Sequence, residues 1–256
     1  MTGRPDADAV TRLMQAAAAA EILPRFRTLR QADIREKAPG QLVTDADLAA
    51  EAMLAEQLTR LLPAAVVGEE GVAADPGQLA ALACPGPVWV IDPVDGTANF
   101  AKGDPRFAII VALVVDGVTV MGWIHDPLSD RTVFAAAGSG AWCGETRVAV
   151  MPEVPLAEMA GSAGRKAALA ARVAAISRRG SAAHDYLDLV EGRLHFACFR
   201  RLMPWDHAAG VLIHAEAGGM GALTDGSPYR PAVTDGAPLL LAPGRHSWDQ
   251  LRALIG

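Results

Sequence analysis

The segment WVIDPVDGTANF, residues 89–100, places two carboxylates, Asp92 and Asp95, directly behind an apolar run. Val88, Trp89, Val90 and Ile91 are β-branched or aromatic and predict a short buried strand. An isolated buried carboxylate is strongly unfavourable, so a strand that ends in two of them needs positive charge beside it. The C-terminal ends of strands in open α/β sheets are also where ligands gather. Pro93 fixes the turn, Gly96 lets backbone approach a bound group, and a helix starting after Thr97 would aim its first amides at an anion. Phosphate and carboxylates repel one another unless divalent cations lie between them. Oxygen-only ligation with room for water suits Mg²⁺ or Mn²⁺ better than Zn²⁺.

Two further acidic sites fit that chemistry. Glu69 and Glu70 follow Gly68 at the end of the apolar stretch AAVV, and Asp206 stands in PWDHAAG before an apolar helical pattern. Each has a plainer reading: Asp206 as a helix N-cap, Glu69-Glu70 as a solvated loop, DPVDGT as a capped turn. Taken together, at strand ends and a helix start, they predict a metal cluster. None of the six histidines forms an HxH or HExxH pair. His207, beside Asp206, projects about 100° away on a helix and reads as structural. GSAGRKAA at 161–168 has the wrong spacing for a phosphate loop, with no Ser or Thr after Lys166. Trp205 reads as a packing anchor, and Lys37 as a mobile side chain. No Lys or Arg lies near the acids in sequence to neutralise them.

The elements that must position these groups interleave along 256 residues, enough for a substantial core. Apolar residues are 51% and charged ones 20%, as in a folded globular chain. A net charge of −6 without an extended basic run excludes nucleic acid as the main ligand. No apolar run reaches membrane-spanning length, and Ala16–Ala20, flanked by Glu21 without a basic n-region, reads as helix rather than signal peptide. Three scattered cysteines without CxxC spacing predict a reducing, cytoplasmic setting.

Helical periodicity predicts helices over Asp8 to about Leu29, interrupted at Pro24, and from Thr44 or Asp45 to about Leu62. A turn is expected at Lys37-Ala38-Pro39-Gly40. Strands are predicted at Phe107–Val115 and Val118–Ile124 around an Asp116-Gly117 hairpin, then at Arg131–Ala137 and Arg147–Met151 on either side of GSGAWCGE. Further on, Ala167–Ser177 and His184–Leu189 read as helices and Leu194–Phe199 as a strand. Asp206–Ala217 reads as a helix, Leu239–Ala242 as a strand, and Trp248–Ile255 as a helix capped by Ser247. This alternation predicts layered sheets and helices: an N-terminal part, 1–147, with most of the acids, and a C-terminal part, 148–256, with Asp206, packed as one unit.

GEE at 68–70, IDPVDGT at 91–97 and PWDHAAG at 204–210 resemble the three signature motifs of the inositol monophosphatase family, in the magnesium-dependent, lithium-sensitive phosphatase superfamily. LVTDAD at 42–47 resembles its early loop, GSGAWCGE its glycine turn and RRGSAA at 178–183 its substrate-side loop, all in family order. The resemblance implies an α+β (mixed α/β) fold, a layered αβαβα sandwich of the inositol monophosphatase / fructose-1,6-bisphosphatase type. It implies a homodimer that hydrolyses a small phosphorylated metabolite. Glu69, Asp92 and the Val94 carbonyl would hold a first Mg²⁺, and Asp92, Asp95 and Asp206 a second. Glu69 would reach a third ion through water, and Mn²⁺ would substitute. Thr97, hydrogen-bonded to Asp47, would orient and help deprotonate the attacking water, making Asp47, Thr97 and Glu69 the implied catalytic set. The Gly96 and Thr97 amides would hold the phosphate. Asp95, Gly180, Ser181, Ala182, His184, Phe199 and Asp206 are the implied substrate contacts.

Two positions depart from the family. Inositol-specific members carry an acid seven residues before the WD aspartate, where this chain has Phe199 followed by Arg200 and Arg201. His184 stands where many members are apolar. Related activities stay open: histidinol-phosphate phosphatase, fructose-1,6-bisphosphatase or a 3′-phosphoadenosine-type nucleotidase, although DGTANF looks nearer the inositol monophosphatase group. A non-catalytic binding protein with the same fold is the reading from another class, which the intact set of acids and threonine disfavours.

Overall fold

The computed structural model describes residues 4–38, 40–164 and 167–255. Lys166 and its neighbour Arg165, from the segment read against a phosphate loop, lie outside these, as does Pro39 of the expected turn. The Asp6 side chain caps α1 (Ala7–Ala17), which runs on through a π-helical turn, Ala18–Ile22, into a 3₁₀ turn, Leu23–Arg25. Pro24 therefore ends the helix short of Leu29, because its ring forbids another α-helical turn. A hairpin follows, β1 (Ile34–Ala38) and β2 (Gln41–Thr44), which delivers the chain to α2 (Asp45–Leu61). Thr44 is the cap of α2. Its hydroxyl accepts from the Ala46 amide, while Asp47 Oδ2 accepts from the Thr44 amide at 2.9 Å, a reciprocal capping box.

Next come β3 (Ala65–Gly68), the short α3 (Glu69–Ala74), β4 (Pro87–Asp95) and α4 (Thr97–Ala101). The hairpin β5 (Ala108–Val115) and β6 (Val118–Asp126) then leads to β7 (Arg131–Ala136), β8 (Ala141–Cys143) and β9 (Thr146–Val148). These make a seven-stranded sheet in the order β3-β4-β5-β6-β7-β8-β9, antiparallel except for β3 beside β4. The segment GSGAWCGE, read as a turn, thus contributes a strand of its own.

The rest of the chain supplies β10 (Ala160–Ser162), α5 (Ala167–Ala170), β11 (Ala175–Ser177), α6 (Ala182–Val190) and β12 (Phe196–Phe199). It closes with α7 (Pro204–Glu216), β13 (Met220–Leu223), β14 (Leu239–Ala242) and α8 (Arg245–Ile255). The second sheet has the order β11-β10-β12-β14-β13. The helix expected over Ala167–Ser177 is only four residues of helix followed by strand β11, because pairing with β10 overrides the helical preference of alanine. Ser247 lies inside the first turn of α8 rather than capping it, and both its amide and its hydroxyl donate to Glu153 Oε1.

Three apolar clusters fix the layers. Val10, Met14, Leu54 and Leu58 of α1 and α2 pack on Trp89, Ile91 and Trp123 from one face of the large sheet. Val88, Val90, Ile110 and Ile124 from its other face meet Tyr186, Trp205 and Ile213 of α6 and α7, which also cover Ala197, Leu239 and Leu241 of the small sheet. Phe196 and Leu240, one residue out of phase, turn to Trp248 and Leu251 of α8. Each strand's period-two alternation therefore feeds two layers, and the result is an αβαβα stack. Helix α7 sits very close to the large sheet: a Cβ on Gly122 of β6 would lie 2.7 Å from Ala209 Cα. No helix among the described residues is long and apolar enough to cross a membrane.

His214, in the last turn of α7, is fully buried, and neither ring nitrogen has a hydrogen-bond partner among the described residues. Burial pushes its pKa down to about 4, against about 6.5 in an unfolded chain. Between those values the unfolded state binds the extra proton, so the native state loses stability as pH falls through the window. Replacing this ring with an aliphatic side chain removes that loss. The unfolding free energy of His214→Leu relative to wild type is expected to rise as pH drops from about 6.5 to 4, by up to about 1.4 kcal/mol per pH unit. Buried carboxylates titrate alike in both proteins and cancel in the difference. Urea titrations over this range check it, and a pH-independent difference would contradict a neutral buried His214.

Candidate active site

The two acids of the opening segment reach one side of the sheet through a backbone irregularity. Along a regular strand, residues three apart face opposite ways. In the β4–β5 ladder, however, Asp92 pairs with Ile110 and Asp95 with Ala108, so three steps on β4 span two on β5. The extra residue is a β-bulge and restores the phase. Asp92 and Asp95 thereby join Val88 and Val90 on the face covered by α6 and α7, while Val94 turns to the opposite cluster. Asp206 enters from the first turn of α7, where Pro204 supplies the preorganised first position. It caps no helix; the Asp206 side chain makes no capping bond.

One carboxylate oxygen from each of Asp92, Asp95 and Asp206 lies within 4.8 Å of the other two. Asp92 is 1% and Asp95 7% exposed, and Asp206 is half-buried. Burial, reinforced by the charges of Glu69, Asp95 and Asp206, holds Asp92 well above the usual carboxylate range. Asp206 is raised likewise, by burial and then by Asp95 and Glu69. Burial raises Asp95 too, although three donors oppose it. Ser181 Oγ and the Ala182 and Ala183 amides, the latter two at 3.1 and 2.8 Å, all donate to the Asp95 carboxylate. Those donors are the N-terminus of α6, so Asp95 docks the substrate-side loop onto the acid cluster.

Lys37, read from sequence as mobile, is held. Its Nζ lies 2.8 Å from Glu69 Oε1 and 2.5 Å from Glu70 Oε1. The basic partner is remote in sequence: the β1–β2 hairpin brings Lys37 to the two glutamates across more than thirty residues. Glu69 is consequently turned to Lys37 and stands beside the three aspartates without joining their cluster. Both glutamates open α3 rather than merely ending β3, and the Glu51 carboxylate of α2 accepts from the Glu70 and Gly71 amides at 2.8 and 2.7 Å. Glu51 fixes this turn through a tertiary contact that no local motif signals.

Thr97 Oγ1 is 3.0 Å from Asp47 Oδ1 and 3.0 Å from the Val94 carbonyl. Its single proton serves one acceptor at a time, which leaves lone pairs free to take a proton from elsewhere. Asp47 is fully buried, and burial raises it to about 7 against the opposing bonds from Thr44. Gly96 has φ of 89°, and a Cβ there would stand 2.7 Å from the Arg106 carbonyl, so only glycine fits this turn into α4. The Gly96 and Thr97 amides come at the start of α4, where helical amides lack intrahelical partners. Asn99 Nδ2 reaches the Arg106, Arg179 and Gly180 carbonyls and so ties α4 to the substrate-side loop.

A cleft of about 640 Å³ opens beside the acids, lined by Gly180, Ser181, Ala182, Phe199 and Asp206 among others. Arg178, Arg200 and Arg201 also line it, and none of the three forms an ion pair among the described residues. Phe199 stacks on Tyr186 with ring centroids 5.4 Å apart and contacts the His207 ring at 4.7 Å. His207 is fully enclosed and held neutral, with a pKa pushed down to about 4 by burial; its Nε2 donates to the Arg201 carbonyl and its Nδ1 accepts from Tyr186. Asp95 and His184 are the expected substrate contacts that do not line the cleft: Asp95 is taken up by the N-terminus of α6, and His184 Nε2 faces the Phe107 carbonyl at 3.2 Å. Asp185, absent from the sequence expectations, lines the cleft and leaves Oδ1 without a partner. Such a buried orphan costs about 1–3 kcal/mol.

An αβαβα fold with clustered acids at a strand bulge, beside a threonine–aspartate pair, presents a group of carboxylates able to hold a divalent cation. The family model described as the inositol monophosphatase family matches residues 6–251, and the chain belongs to that family. Among its relatives, a Mycobacterium leprae inositol-1-monophosphatase is 34% identical over 235 residues, 85% of this chain and 79% of that one. A Thermotoga maritima fructose-1,6-bisphosphatase/inositol-1-monophosphatase is 34% identical over 188 residues, 70% of each chain. The solved structure of a Thermotoga maritima IMPase superposes with a TM-score of 0.83 at 26% identity, covering 97% of this chain and 95% of that one. An inositol monophosphatase from Anabaena gives 0.77 at 28%, over 96% and 93%. The chain is thus a phosphatase of this family, which implies a divalent metal.

The donor set fits such a metal: three carboxylates with no basic partner among them, too close to remain charged alone. Asp92, at the centre of their mutual repulsion, is expected to matter most. Asp92→Asn should weaken Mg²⁺ binding at least about tenfold by calorimetry. Thr97→Ala should bind Mg²⁺ within about twofold of wild type yet lose about a hundredfold in kcat. Unchanged Mg²⁺ binding in Asp92→Asn would contradict this arrangement.

Proposed function

We propose that this chain is a Mg²⁺-dependent phosphomonoesterase that hydrolyses a small phosphorylated metabolite. The observation that carries the proposal is the convergence of Asp92, Asp95 and Asp206 beside the Asp47–Thr97 pair. When bound, the divalent cations neutralise phosphate charge, activate water and stabilise the leaving oxygen. Asp92, Asp95 and Asp206 would hold them, and Glu69, now paired with Lys37, would extend the set. The Gly96 and Thr97 amides bind phosphate oxygens. Thr97 Oγ1 takes a proton from the attacking water and gives its own to Asp47 Oδ1, 3.0 Å away. A carboxylate raised to about 7 suits that acceptor role near neutral pH. Little covalent chemistry is asked of the protein, since phosphoryl transfer depends mainly on positioning and charge.

Substrate breadth follows from the far wall of the cleft. Phe199 lies where inositol-specific relatives present an acid, and it stacks on Tyr186 instead of offering an acceptor. A site that lacks the acceptor discriminates less against substrates lacking the donor. The proposal is therefore a phosphatase that is not strictly selective for inositol phosphates.

Exhaustive chelation is expected to abolish phosphate release and added Mg²⁺ to restore it, with full turnover in chelator ruling the proposal out. In a panel of sugar, inositol, histidinol and nucleotide phosphates, Phe199→Glu should shift relative kcat/KM toward inositol 1-phosphate by about tenfold. A wild type that already favours inositol 1-phosphate about a hundredfold over the panel would contradict the role given to Phe199.

A further inference from the structure

Asp185 combines three features found together nowhere else in the cleft. It is 6% exposed, it lines the cleft beside the acid cluster, and its Oδ1 has no hydrogen-bond partner among the described residues. Its other oxygen is fixed: Ser162 Oγ donates to Asp185 Oδ2 at 2.8 Å from the end of β10. The hydroxyl therefore sets the carboxylate's rotation and leaves Oδ1 as a buried acceptor of defined direction. Its placement relative to the acids is equally defined. Asp185 follows Ser181 by four residues, and residues so spaced share one face of a helix about 6 Å apart. Ser181 is the residue whose hydroxyl donates to Asp95. Asp185 thus stands one helical turn beyond the acid cluster, on the side of α6 that faces it.

We infer that Asp185 reads the substrate, accepting a hydrogen bond at Oδ1 from a hydroxyl on the part of the molecule distal to the phosphate. The inference rests on the phosphomonoesterase reading of the site and narrows it to substrates with a polyol-like or sugar-like body. Phe199 and Asp185 both line the cleft, from β12 and from α6 respectively. Asp185 offers an acceptor from a different wall of the cleft, so the hydroxyl it reads is not the one that an acid at position 199 would read, and the relaxed selectivity at Phe199 stands. Ser162 acts as a positioning residue through Asp185. Arg179, on the same wall, favours the charged form of Asp185 against its burial.

The test compares two substrates on the same Mg²⁺-loaded protein: glycerol 2-phosphate, which carries free hydroxyls, and phenyl phosphate, which carries none. The readout is the ratio of their kcat/KM values, from which any change in folded fraction cancels. Asp185→Asn, which keeps the shape, is expected to lower the ratio at least about tenfold, mainly through KM for glycerol 2-phosphate. Ser162→Ala, which frees the carboxylate to rotate without removing it, should lower the ratio less and in the same direction. A ratio unchanged within about twofold in Asp185→Asn overturns the inference, as does a wild type that cleaves phenyl phosphate but not glycerol 2-phosphate. Both leave the phosphatase reading standing. A wild type that releases phosphate from neither substrate, nor from the wider panel, defeats that reading itself.

Discussion

Mutual repulsion among Asp92, Asp95 and Asp206 is the constraint on which the rest of the molecule turns. Unit charges about 4 Å apart repel by roughly 4 kcal/mol per pair at an effective dielectric near 20. Three carboxylates in such proximity, two of them buried, are tolerable only with protons or cations among them. Burial accordingly raises all three above the ordinary range, and neighbouring carboxylates add to it at Asp92 and Asp206. A total stability of only about 5–15 kcal/mol for a typical domain leaves little room for such a cluster unless surrounding structure holds it in place.

That holding is distributed across every layer. A one-residue bulge in β4 puts Asp92 and Asp95 on a common face. The close seat of α7 on Gly122 of β6 brings Asp206 in from above the same face. The N-terminus of α6 grips Asp95, and Asn99 ties that loop to α4. The capping box of α2 buries Asp47 with one oxygen on Thr44 and the other toward Thr97. Apart from the local Thr44–Asp47 bond, each contact joins residues well separated in sequence, so the site belongs to the whole fold rather than to any one motif.

The acids themselves were legible in the sequence because their setting violates a simple rule. A good apolar strand should not end in two carboxylates, and three residues is the wrong spacing for one face of a regular strand. The long helices and the β5–β6 hairpin were legible as well, from periodicity and the Asp116-Gly117 turn. What escaped were contacts and elements that only tertiary structure defines. Lys37 gives no local sign that a hairpin carries it to Glu69 and Glu70. The strands β10, β11 and β13 are three or four residues long and rich in alanine or glycine, and their neighbours in the sheet make them strands. Asp185 looks like an ordinary helical acid until its burial and its orphaned oxygen are seen.

Anomalous diffraction from crystals soaked in Mn²⁺ tests the central claim most directly, because it locates cations without relying on turnover. The account predicts at least one strong peak among the three aspartates, with Asp92 and Asp95 oxygens roughly 2.0–2.6 Å away, as hard divalent cations require. A map with no peak there at saturating Mn²⁺, and the carboxylates left in their present contacts, would contradict it.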